Sequence, residues 1–101
     1  MTVLTVFRSR LRADAYDAGY GDRAAEMLAR ATAMPGFVSF KSFTADDGER
    51  VSVIEFDTDE HQRDWARDEQ HRVAQAEGRS SYYDEYRLTV AEVTRDHTWQ
   101  R

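Results

Sequence analysis

The 101-residue sequence has no cysteine, a single proline and five glycines, and nowhere do about 18 apolar residues follow one another, as a membrane-spanning helix would need. The missing cysteine removes a disulfide framework, a thiolate metal site and a cysteine nucleophile together. Glycine is too sparse for a phosphate-cradling loop: DAGYGD lacks both the spacing and the preceding strand, and no serine lies in a nucleophile elbow. Basic charge is also short, with 14 Lys and Arg against 19 Asp and Glu and a formal charge of -5. Nucleic acids and anionic membranes are bound through phosphate neutralisation by a basic face, so both are set aside as partners. The opening MTVLTVFRSR carries no basic segment followed by a long apolar run, and a cytoplasmic location is expected.

What is present fits one globular domain. A composition of 41% hydrophobic and 33% charged residues lies far from disorder, and a chain of this length buries roughly two-thirds of the surface its unfolded form exposes. Residues 2–12 alternate with period two and are expected to form a strand, with Val3, Phe7 and Leu11 on one face and Leu4 and Val6 on the other. Residues 14–34 carry a helical stripe at Tyr16, Tyr20, Met27, Leu28, Ala31 and Met34; Gly19 and Gly21 make its first part irregular, so the firm helix is expected to begin near Asp22, and Pro35-Gly36 stops it. Two strands, FVSFKSFT and RVSVIEFD, flank a hairpin turn whose Asp47-Gly48 would supply positive φ angles.

Asp57 or Thr58 can cap the next helix. Trp65 and His71 are six residues apart, and in one unbroken helix they would point about 120° apart, with Glu69 in the middle of the apolar stripe. A break near residues 68–70 resolves both conflicts and predicts helices over 58–68 and 71–78, the second ended by Gly78 in a left-handed cap. A last strand over 82–94 would put Tyr82, Tyr86, Leu88 and Val90 on one face and Tyr83, Ala91 and Val93 on the other. Residues 95–101 form a tail.

The order β-α-β-β-α-β reads as a ferredoxin-like α+β sandwich, a four-stranded antiparallel sheet with helices on one face. All four strands also carry apolar residues on the other face, for which sheet-to-sheet packing in a homodimer is the simplest cover.

The chemistry concentrates between Trp65 and Tyr86. His61, His71 and His97 lack metal-ligand spacing, and the strand order shared with RNA-recognition modules comes without their third-strand aromatics. A small pocket between sheet and helices, lined by Trp65, His71 and tyrosines, is the expected site. His71, partly buried against Trp65, would stay neutral and able to act as a base. Tyr82 and Tyr86 would share its wall, Tyr83 would face a dimer contact, and Arg79 would either cap carbonyls or bind a ligand anion. A plain core cluster accounts for the same residues.

The run PGFVSFKSFTADDGERVSVIEF, then Trp65, then His71 with AQAEGR and YYDEY, resembles the antibiotic biosynthesis monooxygenase domain family from Val3 to Val93. The resemblance implies a ferredoxin-like subunit dimerised through its sheets, with a ligand cavity in each subunit. It implies cofactor-independent oxidation of a small aromatic quinol, anthrone or polyphenol by O₂, with His71 as base, Trp65 and Tyr82 stacking the substrate, Tyr86 beside them and Arg79 at the developing oxyanion. Haem-degrading members use a first-strand Asn and a His ten residues after the Trp; here position 75 is Gln and the first strand has no Asn, so haem degradation is disfavoured. A non-catalytic dimer, either binding a small molecule or serving a structural role, is the alternative.

Overall fold

The computed structural model describes residues 2–101. Its elements run β1 (Val3–Leu11), α1 (Tyr20–Thr32), β2 (Phe37–Thr44), β3 (Arg50–Phe56), α2 (Asp59–Arg67), α3 (Glu69–Glu77), a π-helical turn (Gly78–Tyr82) and β4 (Tyr83–Glu92). The strands pair antiparallel in the order β2-β3-β1-β4, which is the expected ferredoxin-like topology. Successive strand residues point to opposite faces, so Val3, Thr5 and Ser9 of β1 are buried on the helix side while Leu4 and Val6 face away from it.

Met27 and Ala31 of α1 and Trp65 of α2 pack on Ile54 and Phe56 of β3 to form the core. Phe37 meets Phe56 edge to face, with ring centroids 6.1 Å apart, and burying Phe56 completely contributes about 1.5–3 kcal/mol. This core packs on the Val3 end of the sheet, and a cavity floored by Thr5, Phe7 and Ser9 of β1 lies beside it.

Residues of opposite parity form the outer face. There Val6 lies opposite Val53, and Val53 opposite Lys41; Leu4, Phe43, Val51 and Ala91 share that side. Phe43 is 52% exposed, an unusual placement for a large aromatic ring.

Local structure departs from the sequence reading at four places. The hairpin closes through Ala45 N–H to Glu49 O (2.8 Å) and Gly48 N–H to Ala45 O (2.9 Å), and Gly48 alone of the Asp47-Gly48 pair has positive φ, at 89°. This is a longer loop ended by a left-handed glycine instead of a two-residue turn. Helix α1 starts at Tyr20, two residues before the expected Asp22, because Gly19 at φ 98° turns the chain into it. Gly78 is right-handed, at φ -57° and ψ -48°, and carries the chain on into the π-helical turn in place of a left-handed cap. A Cβ there would lie 2.6 Å from Cε2 of Tyr83, so close approach of that ring selects the glycine.

The fourth difference is in β4. Arg10 pairs with Glu85 but Leu11 pairs with Tyr83, so one residue, Asp84, is bulged out. A bulge shifts the side-chain alternation by one. Tyr83 therefore joins Tyr86 on the helix side, and the expected dimer-facing orientation of Tyr83 is corrected.

Candidate functional site

Asp68 separates α2 from α3, which is the break that the Trp65–His71 spacing requires. Its backbone at ψ 130° leaves the helix, its N–H bonds back to Trp65 O, and its carboxylate caps α3 by accepting from His71 N–H at 3.0 Å. Arg30 of α1 donates to the same carboxylate at 3.0 Å, which holds its pKa below the ordinary value. Fixed in this way, the His71 ring stacks on Trp65 with centroids 4.1 Å apart and planes within 12°.

His71 Nδ1 lies 3.1 Å from Trp65 O. A carbonyl only accepts, so Nδ1 carries the proton and Nε2 carries the lone pair. Burial pulls the His71 pKa below 6.5, outweighing the opposing pull of the Trp65 carbonyl and the Asp68 charge. The ring is thus neutral near pH 7. Among the described residues Nε2 makes no hydrogen bond, and no buried side-chain nitrogen or oxygen lacks one, so Nε2 keeps some accessible surface, on a residue that borders the cavity.

The cavity that His71 borders has a volume of about 610 Å³, within the range of small-molecule sites. Its floor is the sheet, where Thr5 and Ser9 alternate with Phe7 and where the Ser42 and Ser52 hydroxyls meet at 2.7 Å. Buried Gln62 reaches Thr5 Oγ1 from α2 at 3.4 Å. Ala24, Met27 and Leu28 of α1 and Ala74 of α3 roof it. At the Leu11 end Tyr20, Tyr83 and Tyr86 close around Phe7, with edge or tilted ring contacts of 5.4–6.0 Å. The result is a mainly apolar cavity with aromatic rings in its wall and serine and threonine hydroxyls on its floor.

Of the residues singled out from sequence, Trp65, His71 and Tyr86 border this cavity together. Tyr82 does not. It is buried behind the wall, 5.6 Å from Tyr20 by ring centroids, and its hydroxyl donates to Glu77 at 3.1 Å. The π-helical turn retains Tyr82, and the strand starts one residue later. Arg79 is also outside the wall: it is exposed and donates to the Tyr86 hydroxyl at 3.4 Å, pairing with neither Asp84 nor Glu85. The i,i+4 spacings of Glu26 with Arg30 and Asp68 with Arg72 suggest ion pairs, but the structure pairs Arg23 with Glu26 and Arg30 with Asp68 instead.

Among the lining residues that sequence reading missed are Arg23, Arg50 and Tyr83. Arg23 is committed to Glu77 at 2.9 Å and Glu26 at 3.0 Å. Arg50 stands over the Tyr20 ring, 5.7 Å from its centroid. A signal existed for both: Arg50 has the parity of Ile54 and Phe56, and Arg23 is one helical turn from Met27. Burial pushes the Tyr83 phenol pKa strongly upward, so it remains a neutral donor.

The sequence profile of the family described as antibiotic biosynthesis monooxygenase matches residues 2–77. The chain belongs to that family. Across 84 residues it is 33% identical to protein YqjZ of Bacillus subtilis, covering 83% of this chain and 74% of that one. Solved structures of this shape include Rv0793 from Mycobacterium tuberculosis, with a TM-score of 0.83 at 17% identity over 97% of this chain and 100% of that one. Another is a mutant form of SnoaB, a cofactor-independent oxygenase from Streptomyces nogalater, with a TM-score of 0.79 at 13% identity over 94% and 95% of the two chains. At such identities the likeness concerns the fold. Among the described residues of this family member, no helix is long and apolar enough to cross a membrane. Nor do three or more His, Asp or Glu side chains gather where a metal could sit.

Proposed function

We propose that the protein is a cofactor-independent monooxygenase that oxidises a small fused-ring phenol, quinol or anthrone with O₂. The observation that carries this reading is the neutral His71, with Nδ1 tied to Trp65 O and its ring in the wall of a cavity of about 610 Å³. Such a base takes a proton from an electron-rich carbon or oxygen acid held flat in the slot. The resulting carbanion or phenolate passes one electron to O₂, giving a substrate radical and superoxide. The two combine into a carbon-bound peroxide, which takes back the proton from the His71 imidazolium.

For an anthrone-type CH₂, loss of water from the hydroperoxide leaves C=O, so CH₂ and O₂ become C=O and H₂O. Both electron pairs come from substrate. The protein supplies the base, the water-poor slot and orientation. Trp65 supports the base, Tyr86 and Tyr83 border the ring system, and Arg79 acts only through the Tyr86 hydroxyl. Family membership and the shared fold with a cofactor-independent oxygenase support this reading.

The same proposal includes a homodimer closed through the outer sheet face, whose apolar Leu4, Val6, Phe43, Val51 and Val53 would then be covered. The test of function is O₂ uptake by metal-free protein with anthrones, quinols and flavonoid-like phenols, run beside His71→Ala. Uptake with product oxidation, lost in the variant, is the expected result. Binding of these compounds without uptake would instead indicate a non-catalytic small-molecule carrier.

A further inference from the structure

We infer that the substrate carries an anionic group, a carboxylate or an acidic enol, and that Arg50 binds it at the end of the cavity opposite His71. The inference rests on the aromatic cavity proposed above and adds the charge and orientation of its occupant.

The sign of the cavity wall is the first observation. In a chain with 19 acidic and 14 basic residues, no Asp or Glu lines the cavity, whereas two Arg do. Arg23 is neutralised in place by Glu77 and Glu26. Arg50 has no carboxylate partner among the described residues: its guanidinium donates to the Tyr16 hydroxyl at 3.2 Å and lies over the Tyr20 ring. Arg50 is half-buried as a residue, and its guanidinium, with five donors and one neutral acceptor, retains most of its hydrogen-bonding capacity. Tyr83, held as a neutral phenol beside it, and Ser9, opposite it in the sheet, add hydroxyl groups to the same corner.

Position is the second observation. Arg50 pairs with Ser9 on β1, while Gln62 beneath the Trp65–His71 end reaches Thr5. Four strand residues separate these points, about 13 Å at 3.3 Å per residue. An anion on Arg50 would therefore place a fused-ring body along Phe7 and bring its far edge to His71 Nε2. Arg50 in this role is a specificity-determining residue, acting on orientation and leaving the chemistry to the base.

The test is calorimetric titration of 6-hydroxy-2-naphthoic acid and its methyl ester, which differ in the charge at one end, into wild type, Arg50→Gln and Arg50→Lys. Wild type should bind the acid at least about 10-fold more tightly than the ester, the scale of one charge-assisted hydrogen bond. Added salt should narrow that ratio. Arg50→Gln should abolish the preference while still binding the ester, and Arg50→Lys should keep part of it. Equal binding of acid and ester by wild type would overturn the anion subsite and leave the aromatic cavity standing. Equal loss of both ligands in Arg50→Gln, with Arg50→Lys no better, would overturn it as well, since that pattern marks a structural arginine. If neither ligand bound wild type, the aromatic-cavity reading would fall together with the subsite.

Discussion

The indole of Trp65 and the imidazole of His71 lie face to face at 4.1 Å, and the Trp65 carbonyl accepts a hydrogen bond from Nδ1–H of the same imidazole. One residue thus buries the imidazole, fixes its tautomer and leaves Nε2 without a hydrogen bond. Because burial lowers the folded pKa of His71 below 6.5, the unfolded chain binds the proton first as pH falls. The stability that His71 contributes is present above pH 6.5 and is lost as pH falls through the folded value. Urea midpoints at pH 7.5 and 5.0 should therefore fall further for wild type than for His71→Gln. If His71 is the base, the rate should also decline on this acid limb, and His71→Ala should lower turnover by about 10²-fold or more and remove the limb.

Gly78 and Tyr83 form a second pair with an unusual consequence. The backbone at Gly78 is helical, where alanine is ordinarily favoured by about 1 kcal/mol, yet a Cβ would lie 2.6 Å from the Tyr83 ring. Gly78→Ala should destabilise the protein by about 1–3 kcal/mol through overpacking. In a Tyr83→Ala background the same change should become neutral or stabilising. Thermal melts of the four proteins in a double-mutant cycle measure this, and an equal cost in both backgrounds would exclude the ring as the cause.

Period and turn chemistry made most of the fold legible. The β-α-β-β-α-β order follows from alternation in TVLTVFRSRLR and the 3.6-residue stripe through Met27 and Ala31, and the break at Asp68 follows from the 120° conflict between Trp65 and His71. What stayed hidden depends on single-residue irregularities. Asp84 bulges from β4 and moves Tyr83 into the cavity, and the π-helical turn keeps Tyr82 out of it. Neither leaves a trace in composition, because YYDEY reads as a regular strand in either register. Arg50 was readable by strand parity and Arg23 by helical spacing, but a charged residue on an apolar face is ordinarily assigned to solvent.

Tyr82 and Tyr86 should differ in what they do. The Tyr82 hydroxyl donates to Glu77, whose carboxylate Arg23 also engages, all behind the cavity wall. Tyr82→Phe should cost about 1 kcal/mol of stability and leave the affinity for a naphthol-type ligand unchanged. Tyr86→Ala, which opens the wall, should weaken that affinity. A denaturation curve and a ligand titration on each variant separate the two effects.

The outer sheet face gives a prediction about assembly. Val6 and Val53 are neighbours across the two central strands, in the middle of the apolar surface. Sedimentation at micromolar concentration should return twice 11.7 kDa for the wild type. Val53→Asp would bury a charge at that contact and should return the monomer mass with its helical content intact. A monomeric wild type would remove the proposed dimer.

Asp68 should act on catalysis without touching substrate. Its carboxylate caps α3 through His71 N–H and receives Arg30, and its negative charge raises the His71 pKa against the pull of burial. Asp68→Ala removes the cap, at a cost of about 1–2 kcal/mol, whereas Asp68→Asn keeps an acceptor there and loses only the charge. Alanine should therefore reduce both stability and turnover, with asparagine recovering much of each. Both variants lack the charge that favours the imidazolium, so in both the acid limb of the rate profile should move to lower pH. A merely structural Asp68 would lower the rate at every pH and leave the limb in place, which the profile of the asparagine variant decides directly.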